Sequence, residues 1–212
     1  MRDSQVAIES TEIFLVCELM MDFPCADYCE MTYSWKWFTI ATIMAVRISL
    51  RIASPMDGPA ISSLLEASYT KLLAIDYEPD LLAKLLPLVT KANSQLLASG
   101  KFYVAQTQLG EFIGCGGWSW EQPGSDEIRQ GEAHIRHFAT HPNWLRRGVG
   151  RALLNRCVQD ARNAAVKILE CHSSLSAVDF YRASGFGVIR PIIMQPSPDV
   201  STPGVLLRRE LS

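Results

Sequence analysis

The sequence is short of the features that define several functional classes. No run of basic residues goes beyond the pairs Arg146-Arg147 and Arg208-Arg209, and the formal net charge is −2. Nothing therefore marks the chain as a nucleic-acid binder. The six cysteines (Cys17, Cys25, Cys29, Cys115, Cys157, Cys171) form no Cys-x-x-Cys pair. Cys25 and Cys29 have no matching Cys/His pair to complete a zinc site. Reduced thiols in an intracellular, cytoplasmic protein fit this usage. No apolar run is long enough to cross a membrane, since Trp37 to Val46 is about half of the ~20 residues required. A secretory signal fits poorly: Glu9, Glu12, Glu18 and Asp22 precede that run and no clean cleavage site follows. There is no internal repeat. What is present is 212 residues of 48% hydrophobic composition, enough for one domain with a proper core.

The first 45 residues stand apart, with three of the six cysteines. Three readings are open: a disordered or loosely packed extension, a targeting segment, or a true start at Met44. The last fits best, because domain-like patterning begins only at Val46. Residues 46–212 are then the folded domain.

Val46 to Ile52 alternates apolar and polar residues, which predicts a strand with one buried face. Ser54 before Pro55, or Asp57, is placed to cap a helix carrying Ile61, Leu64, Leu65, Ser68 and Leu72. Glu78-Pro79 opens another helix, with Leu81, Leu82, Leu85 and Leu86 on one face. Lys101 to Gln106 and Phe112 to Trp120 read as a strand pair, and Gly114, Gly116 and Gly117 suggest a bulge or close backbone approach. A loop over 121–131 leads to a strand from Glu132 to Thr140. Val149 to Asn163 reads as a helix with Val149, Leu153, Leu154, Cys157, Val158 and Ala161 facing inward. A strand follows from Val166 to Cys171, and then a short helix. A strand from Phe186 to Met194, a loop over 195–204 and a last strand from Val205 to Leu211 complete the chain.

The most informative stretch lies between two of these elements. An apolar strand runs through Pro142 into Arg146-Arg147-Gly148-Val149-Gly150, and a helix starts at once. Gly148 and Gly150 lack Cβ atoms, so the turn can bare its amides to a ligand. Those donors and the positive helix end make an anion site suited to phosphate, and Arg146, Arg147 and Arg151 add mobile positive charge. No Gly-Lys-Ser/Thr follows, which removes a nucleotide P-loop.

This turn resembles the coenzyme A-binding motif of the GNAT superfamily of N-acetyltransferases, Gln/Arg-x-x-Gly-x-Gly/Ala. Gly148 and Gly150 fall on its small positions, and Leu145 stands where Gln or Arg is usual. Downstream, Ala177-Val178-Asp179-Phe180-Tyr181-Arg182-Ala183-Ser184-Gly185-Phe186 is similar to the family's second signature, Ala-x-x-Phe-Tyr-x-x-x-Gly-Phe. The resemblance covers Val46 to Leu211. It implies an α/β (α+β) fold with a central mixed, mostly antiparallel sheet of six to seven strands. About four helices flank that sheet, and a splayed parallel strand pair binds acetyl-CoA.

The resemblance also implies roles. Acetyl-CoA would contact Phe138, Ala139, Thr140, Leu145, Arg146, Arg147, Gly148, Val149, Gly150, Arg151 and Tyr181, with the amides of Phe138 and Thr140 facing the carbonyl and pantetheine arm. Tyr181 would be the general acid for the leaving thiolate, or would simply pack its helix. His134 falls where histone-type members carry a base glutamate. It would act directly or through water, or serve as a structural histidine. Glu132 is the second candidate base. Strand alternation puts Glu132, His134, Arg136 and Phe138 on one face and His137 and His141 on the other, and the opposed histidine faces argue against zinc. Arg136 would pair with Glu132 or with an acidic group of the acceptor. Tyr69, Tyr77, Trp118 and Trp120 border the acceptor cleft by resemblance, or form ordinary core. The implied activity is acetyl transfer from acetyl-CoA to a primary amine of a small molecule or protein. A silent CoA-binding sensor is the alternative. Neither nucleic acid nor membrane is an expected partner, and a homodimer is left open.

Overall fold

The computed structural model describes residues 47–125 and 127–211; the expectations for residues 1–45, and Val46 itself, lie outside them. Strand β1 (Ile48–Ile52) opens the domain. The two candidate caps that follow turn out to be one device. Ser54 and Asp57 form a reciprocal capping box around a 3-10 turn, and Arg51 locks it with bonds of 2.8 and 2.9 Å to the Asp57 carboxylate. Helix α1 (Gly58–Leu72) then buries Ile61, Leu64, Leu65 and Ser68, the i, i+3, i+4, i+7 stripe of an amphipathic helix.

Helix α2 (Pro79–Val89) starts at a proline, whose missing N–H costs nothing in the first turn. The short α3 (Ser94–Ala98) was not expected. At five residues it has no periodicity to read, and it rests on its cap, the Asn93 side chain accepting from the Leu96 amide at 3.0 Å.

Strands β2 (Phe102–Thr107), β3 (Phe112–Ser119) and β4 (Glu132–Thr140) form an antiparallel meander with β1. Helix α4 (Val149–Asn163) crosses to β5 (Ile168–Ser173), and α5 (Val178–Arg182) leads to β6 (Gly187–Ser197) and β7 (Val200–Glu210). The seven strands lie in the order β1-β2-β3-β4-β5-β7-β6, with β4 and β5 the one parallel pair among the described residues. This is the mixed, mostly antiparallel sheet that the resemblance implies.

The end of the chain corrects one expectation. The segment 195–204 is not a loop; β6 and β7 run on through it to a turn before Val200. Its prolines had argued against strand. They are tolerated because β6 is a sheet edge and because β7 outruns β5, whose last pair is Ser173 with Val205. Proline at either place need not remove a ladder bond.

All six residues of α4 expected to face inward are buried, with Leu153, Leu154, Cys157 and Ala161 fully so. They pack with Ile113, Trp118, Ala133, Ile135 and Leu169 on one face of the sheet. Burying each leucine contributes on the order of 1.5–3 kcal/mol. Ile61, Leu64 and Leu65 of α1 meet Phe102, Val104, Cys115 and Ala139 on the other face.

Candidate active site

Two features meet at β4. The first is the turn into α4. His141 ends the strand and caps the 3-10 turn Pro142–Trp144, its Nδ1 accepting from the Asn143 amide at 3.2 Å. Arg146 (φ 62) and Gly148 (φ 78) then take left-handed backbone, and Gly148 is the N-cap of α4 without any side-chain bond. The first intrahelical bond at this end is Ala152 N–H to Gly148 O, 2.9 Å. The amides ahead of it have no helical acceptor, and no acidic side chain sits in the first turn. Arg146, Arg147 and Arg151 are exposed, and the Arg147 guanidinium lies 5.0 Å from the Trp144 ring centre. The chemistry is that of an anion site.

The second feature is the parting of β4 and β5. Their pairing covers Glu132–Ile168, Ala133–Leu169 and His134–Glu170 and then stops, although β4 runs on to Thr140. Just beyond the parting, β4 carries a bulge. Gly117 pairs with Arg136 and Cys115 with Ala139, so Gly116 alone opposes both His137 and Phe138. His137 absorbs the extra residue at φ 46. A Cβ on Gly116 would run into the Phe138 ring, so this close approach requires glycine.

The bulge overturns the expected faces. Phe138 does not share a face with His134. Its ring lies on the α5 side, 6.3 Å from Phe180 and 6.4 Å from Tyr181 between centroids. His137 instead joins the α1 side, beside Ile61, Leu65, Leu96 and Phe102. Burial, followed by the Arg136 charge, holds its imidazole near a pKa of about 4.

Tyr181 is buried against Phe138, Phe180 and Phe186. Its hydroxyl neighbours the thiol of Cys171, the first β5 residue past the parting. Burial, then the Cys171 thiol, raises its pKa well above 10, so it keeps its proton at neutral pH. Tyr69 reaches the same gap from α1, its hydroxyl 3.3 Å from the Phe138 carbonyl.

On the α1 side of the parting His134 is 2% exposed. Its Nδ1 stands 3.7 Å from Glu170 Oε2 and has no hydrogen-bond partner. Burial lowers its pKa to about 4, against the raising effect of Glu170, so the ring is neutral at physiological pH. Glu170 is itself held by Arg208 through bonds of 2.7 and 3.1 Å, and the His172 ring lies 6.4 Å from that of His134. Glu170, Arg208 and His172 were not singled out from the sequence. A buried strand containing one glutamate was the available signal, and its partners lie on other strands. Glu132 lies at the far end of the same pairing, 3.9 Å from Arg129.

Arg136 corrects one further expectation, and Trp118 and Tyr77 resolve as ordinary core. Arg136 does not pair with Glu132; its guanidinium donates to Ser119 Oγ at 2.8 Å and Glu121 O at 3.3 Å. Trp118 borders no cleft. It is fully buried on the α4 side, with Nε1 donating to Asp160 at 2.9 Å and Trp120 edge-on against it. Tyr77 is buried with its hydroxyl on the Pro203 carbonyl, 3.0 Å away, and ties the turn before α2 to β7.

The fold is shared with known proteins. The sequence model of the acetyltransferase (GNAT) family matches residues 61–186, more than half of the chain, and the protein belongs to that family. No curated protein matches it. Among solved structures, a GCN5-related N-acetyltransferase from Rhodopseudomonas palustris superposes with a TM-score of 0.63 at 20% identity, over 76% of this chain and 94% of that one. The PaiA N-acetyltransferase of Thermoplasma acidophilum, in complex with coenzyme A, gives 0.59 at 13%, over 77% and 98%. The ribosomal-protein-S18-alanine N-acetyltransferase of Escherichia coli gives 0.52 at 17%, over 78% and 94%. At these identities the likeness is one of fold. No helix among the described residues is long and apolar enough to cross a membrane.

Proposed function

We propose that the protein transfers an acetyl group from acetyl-CoA to a primary amine by direct attack, in the cytoplasm, and that residues 46–212 carry the activity. The observation that carries this reading is the parting of β4 and β5 after His134 and Glu170. It lies beside the buried Tyr181 hydroxyl and on the strand that leads into the α4 turn.

The residues fit the co-substrate. The amides of Gly148, Val149 and Gly150, with Leu145, Arg146, Arg147 and Arg151 around them, would hold the pyrophosphate. The backbone of Phe138, Ala139 and Thr140 would line the pantetheine arm. His141 N–H donates to Ile113 O on β3 at 2.9 Å. Antiparallel alternation then leaves the N–H groups of Phe138 and Thr140 on the opposite edge, toward β5. The Phe138 N–H would stabilise the charge that builds on the carbonyl oxygen.

The acceptor nitrogen forms its bond to the carbonyl carbon as the carbon–sulfur bond breaks. Neutral His134, backed by Glu170, accepts the proton the nitrogen must lose. Tyr181 donates a proton to the departing thiolate. Glu132 is the reserve base. Solvent then takes the proton from His134 and returns one to Tyr181, leaving amide, free thiol and both side chains as they began.

An unbiased amine screen with thiol release as readout, run beside calorimetry of acetyl-CoA binding, tests this reading. Binding together with acceptor-dependent release supports it. Binding with no release across the screen would leave a CoA sensor, and absence of binding would remove both.

A further inference from the structure

The bulge that aims the Phe138 amide poses a physical problem. His137 bears a Cβ and a ring, yet sits at φ 46, where such a residue is disfavoured. The peptide groups on either side of Phe138 have lost their ladder register with β3. Something must stop them from turning. Two side chains that the proposed chemistry does not use contact these two groups. The Cys115 thiol lies 3.7 Å from the His137 carbonyl oxygen, and the Tyr69 hydroxyl lies 3.3 Å from the Phe138 carbonyl oxygen.

Resting on the acetyl-transfer reading above, we infer that Cys115 and Tyr69 are positioning residues. By fixing the carbonyls of His137 and Phe138, they aim the Phe138 N–H into the gap between β4 and β5. In a trans peptide the C=O and the N–H point in opposite directions. Holding the His137 carbonyl against β3 through Cys115 therefore turns the Phe138 N–H away from β3 and toward β5. Holding the Phe138 carbonyl through Tyr69 pins the next peptide, so the pair of planes cannot rotate together. The two clamps come from different elements, β3 and α1, and grip adjacent peptides.

Cys115 suits this task and little else. It is fully buried and not in a disulfide. Burial pushes its pKa up to about 12, so it stays a neutral S–H donor and not a nucleophile.

The test needs no knowledge of the acceptor. In the full chain, the carbonyl stretch of bound [1-13C]acetyl-CoA is read by isotope-edited infrared spectroscopy, with affinity by calorimetry and melting temperature alongside. The wild-type stretch should lie below that of free acetyl-CoA, as a carbonyl held by an N–H should. Cys115→Ala and Tyr69→Phe should each move it most of the way back to the free value while affinity stays unchanged, because the pyrophosphate turn is untouched. Cys115→Ser restores a donor at the same place and should restore the shift. A merely structural role would lower the melting temperature and leave the stretch of the bound protein where it was. That result, or a serine variant no better than alanine, overturns the inference. Tyr69→Phe deletes one oxygen, so it gives an independent answer even if Cys115→Ala does not fold. Wild type that binds acetyl-CoA with an unshifted carbonyl sinks this proposal alone, whereas wild type that does not bind sinks the acetyl-transfer reading beneath it.

Discussion

The turn into α4 and the gap between β4 and β5 are made of opposite materials. The turn is exposed, carries three arginines within six residues, and presents backbone to solvent. The gap is lined by the buried Tyr181 and Cys171 together with Tyr69. The difference follows from the ligand chemistry each suits. A doubly charged pyrophosphate is bound by many weak donors and mobile cations at a helix end, where some slack is tolerated. A reacting carbonyl needs few donors held in one orientation, and a dry, packed wall supplies that. The turn is also local, complete within about ten residues. The gap draws on α1, β3, β4, β5 and α5, so a substitution in any of them reaches it.

The comparison breaks most visibly at the turn. Gly148→Asp or Gly150→Asp should abolish acetyl-CoA binding by calorimetry. Each sets a negative charge in the anion site. In addition, Gly148 has φ 78, and a Cβ on Gly150 would meet the Phe180 ring at 3.3 Å. Because an acidic residue suits a helix N-terminus, the fold should survive, with a melting temperature lowered only by that local strain. Wild-type affinity in either variant would remove the assignment of this loop.

In the gap the sign reverses: chemistry is lost and binding kept. Tyr181→Phe should lower turnover on the order of 10²-fold, the usual worth of a positioned acid, with acetyl-CoA affinity nearly intact. Unchanged turnover would leave thiolate departure to solvent.

His134→Gln should cost less and in a pH-dependent way. Activity should fall near neutral pH and recover at high pH, where the amine is already deprotonated. Activity that stays low at every pH, in step with a lower melting temperature, would make His134 a structural residue.

The smallest effect is on stability. His134 titrates at about 4 in the fold because burial disfavours its charged form, against about 6.5 in an unfolded chain. Between those values the unfolded state binds the extra proton. The stability contributed by keeping the ring neutral is therefore present above pH 6.5 and is lost as the pH falls toward 4. The slope from this one group is at most about 1.4 kcal/mol per pH unit. His134→Gln should flatten the acid limb of a melting-temperature profile; an unchanged limb would move its origin to His137 or His172, whose pKa values burial also lowers.

How far the sequence could be read varied by element. The bounds of β4 and α4 and all six inward residues of α4 followed from periodicity, because a nine-residue strand and a fifteen-residue helix carry enough repeats to define a face. The short α3 has none. Both strands of the β6–β7 hairpin were expected, but its far end over 195–204 was hidden because proline reads as a strand breaker until the sheet edge that excuses it is known. The faces of His137 and Phe138 came out reversed, since alternation holds only until one residue is inserted, and the insertion is visible only in the partner strand.

By itself, then, the sequence determined what depends on neighbours along the chain: the glycine-bearing basic turn, the helix behind it, the Phe180-Tyr181 pair and the succession of the seven strands along the chain. Only the tertiary structure decided what depends on neighbours across it. Glu170 comes within 3.7 Å of His134 from the adjacent strand. Arg136 spends its guanidinium on Ser119 and Glu121, and Trp118 turns its indole to Asp160. Tyr69 and Cys115 grip a bulge that neither adjoins in sequence. Side-chain partners such as these are fixed by sheet register and helix packing, and a single inserted residue changes them all.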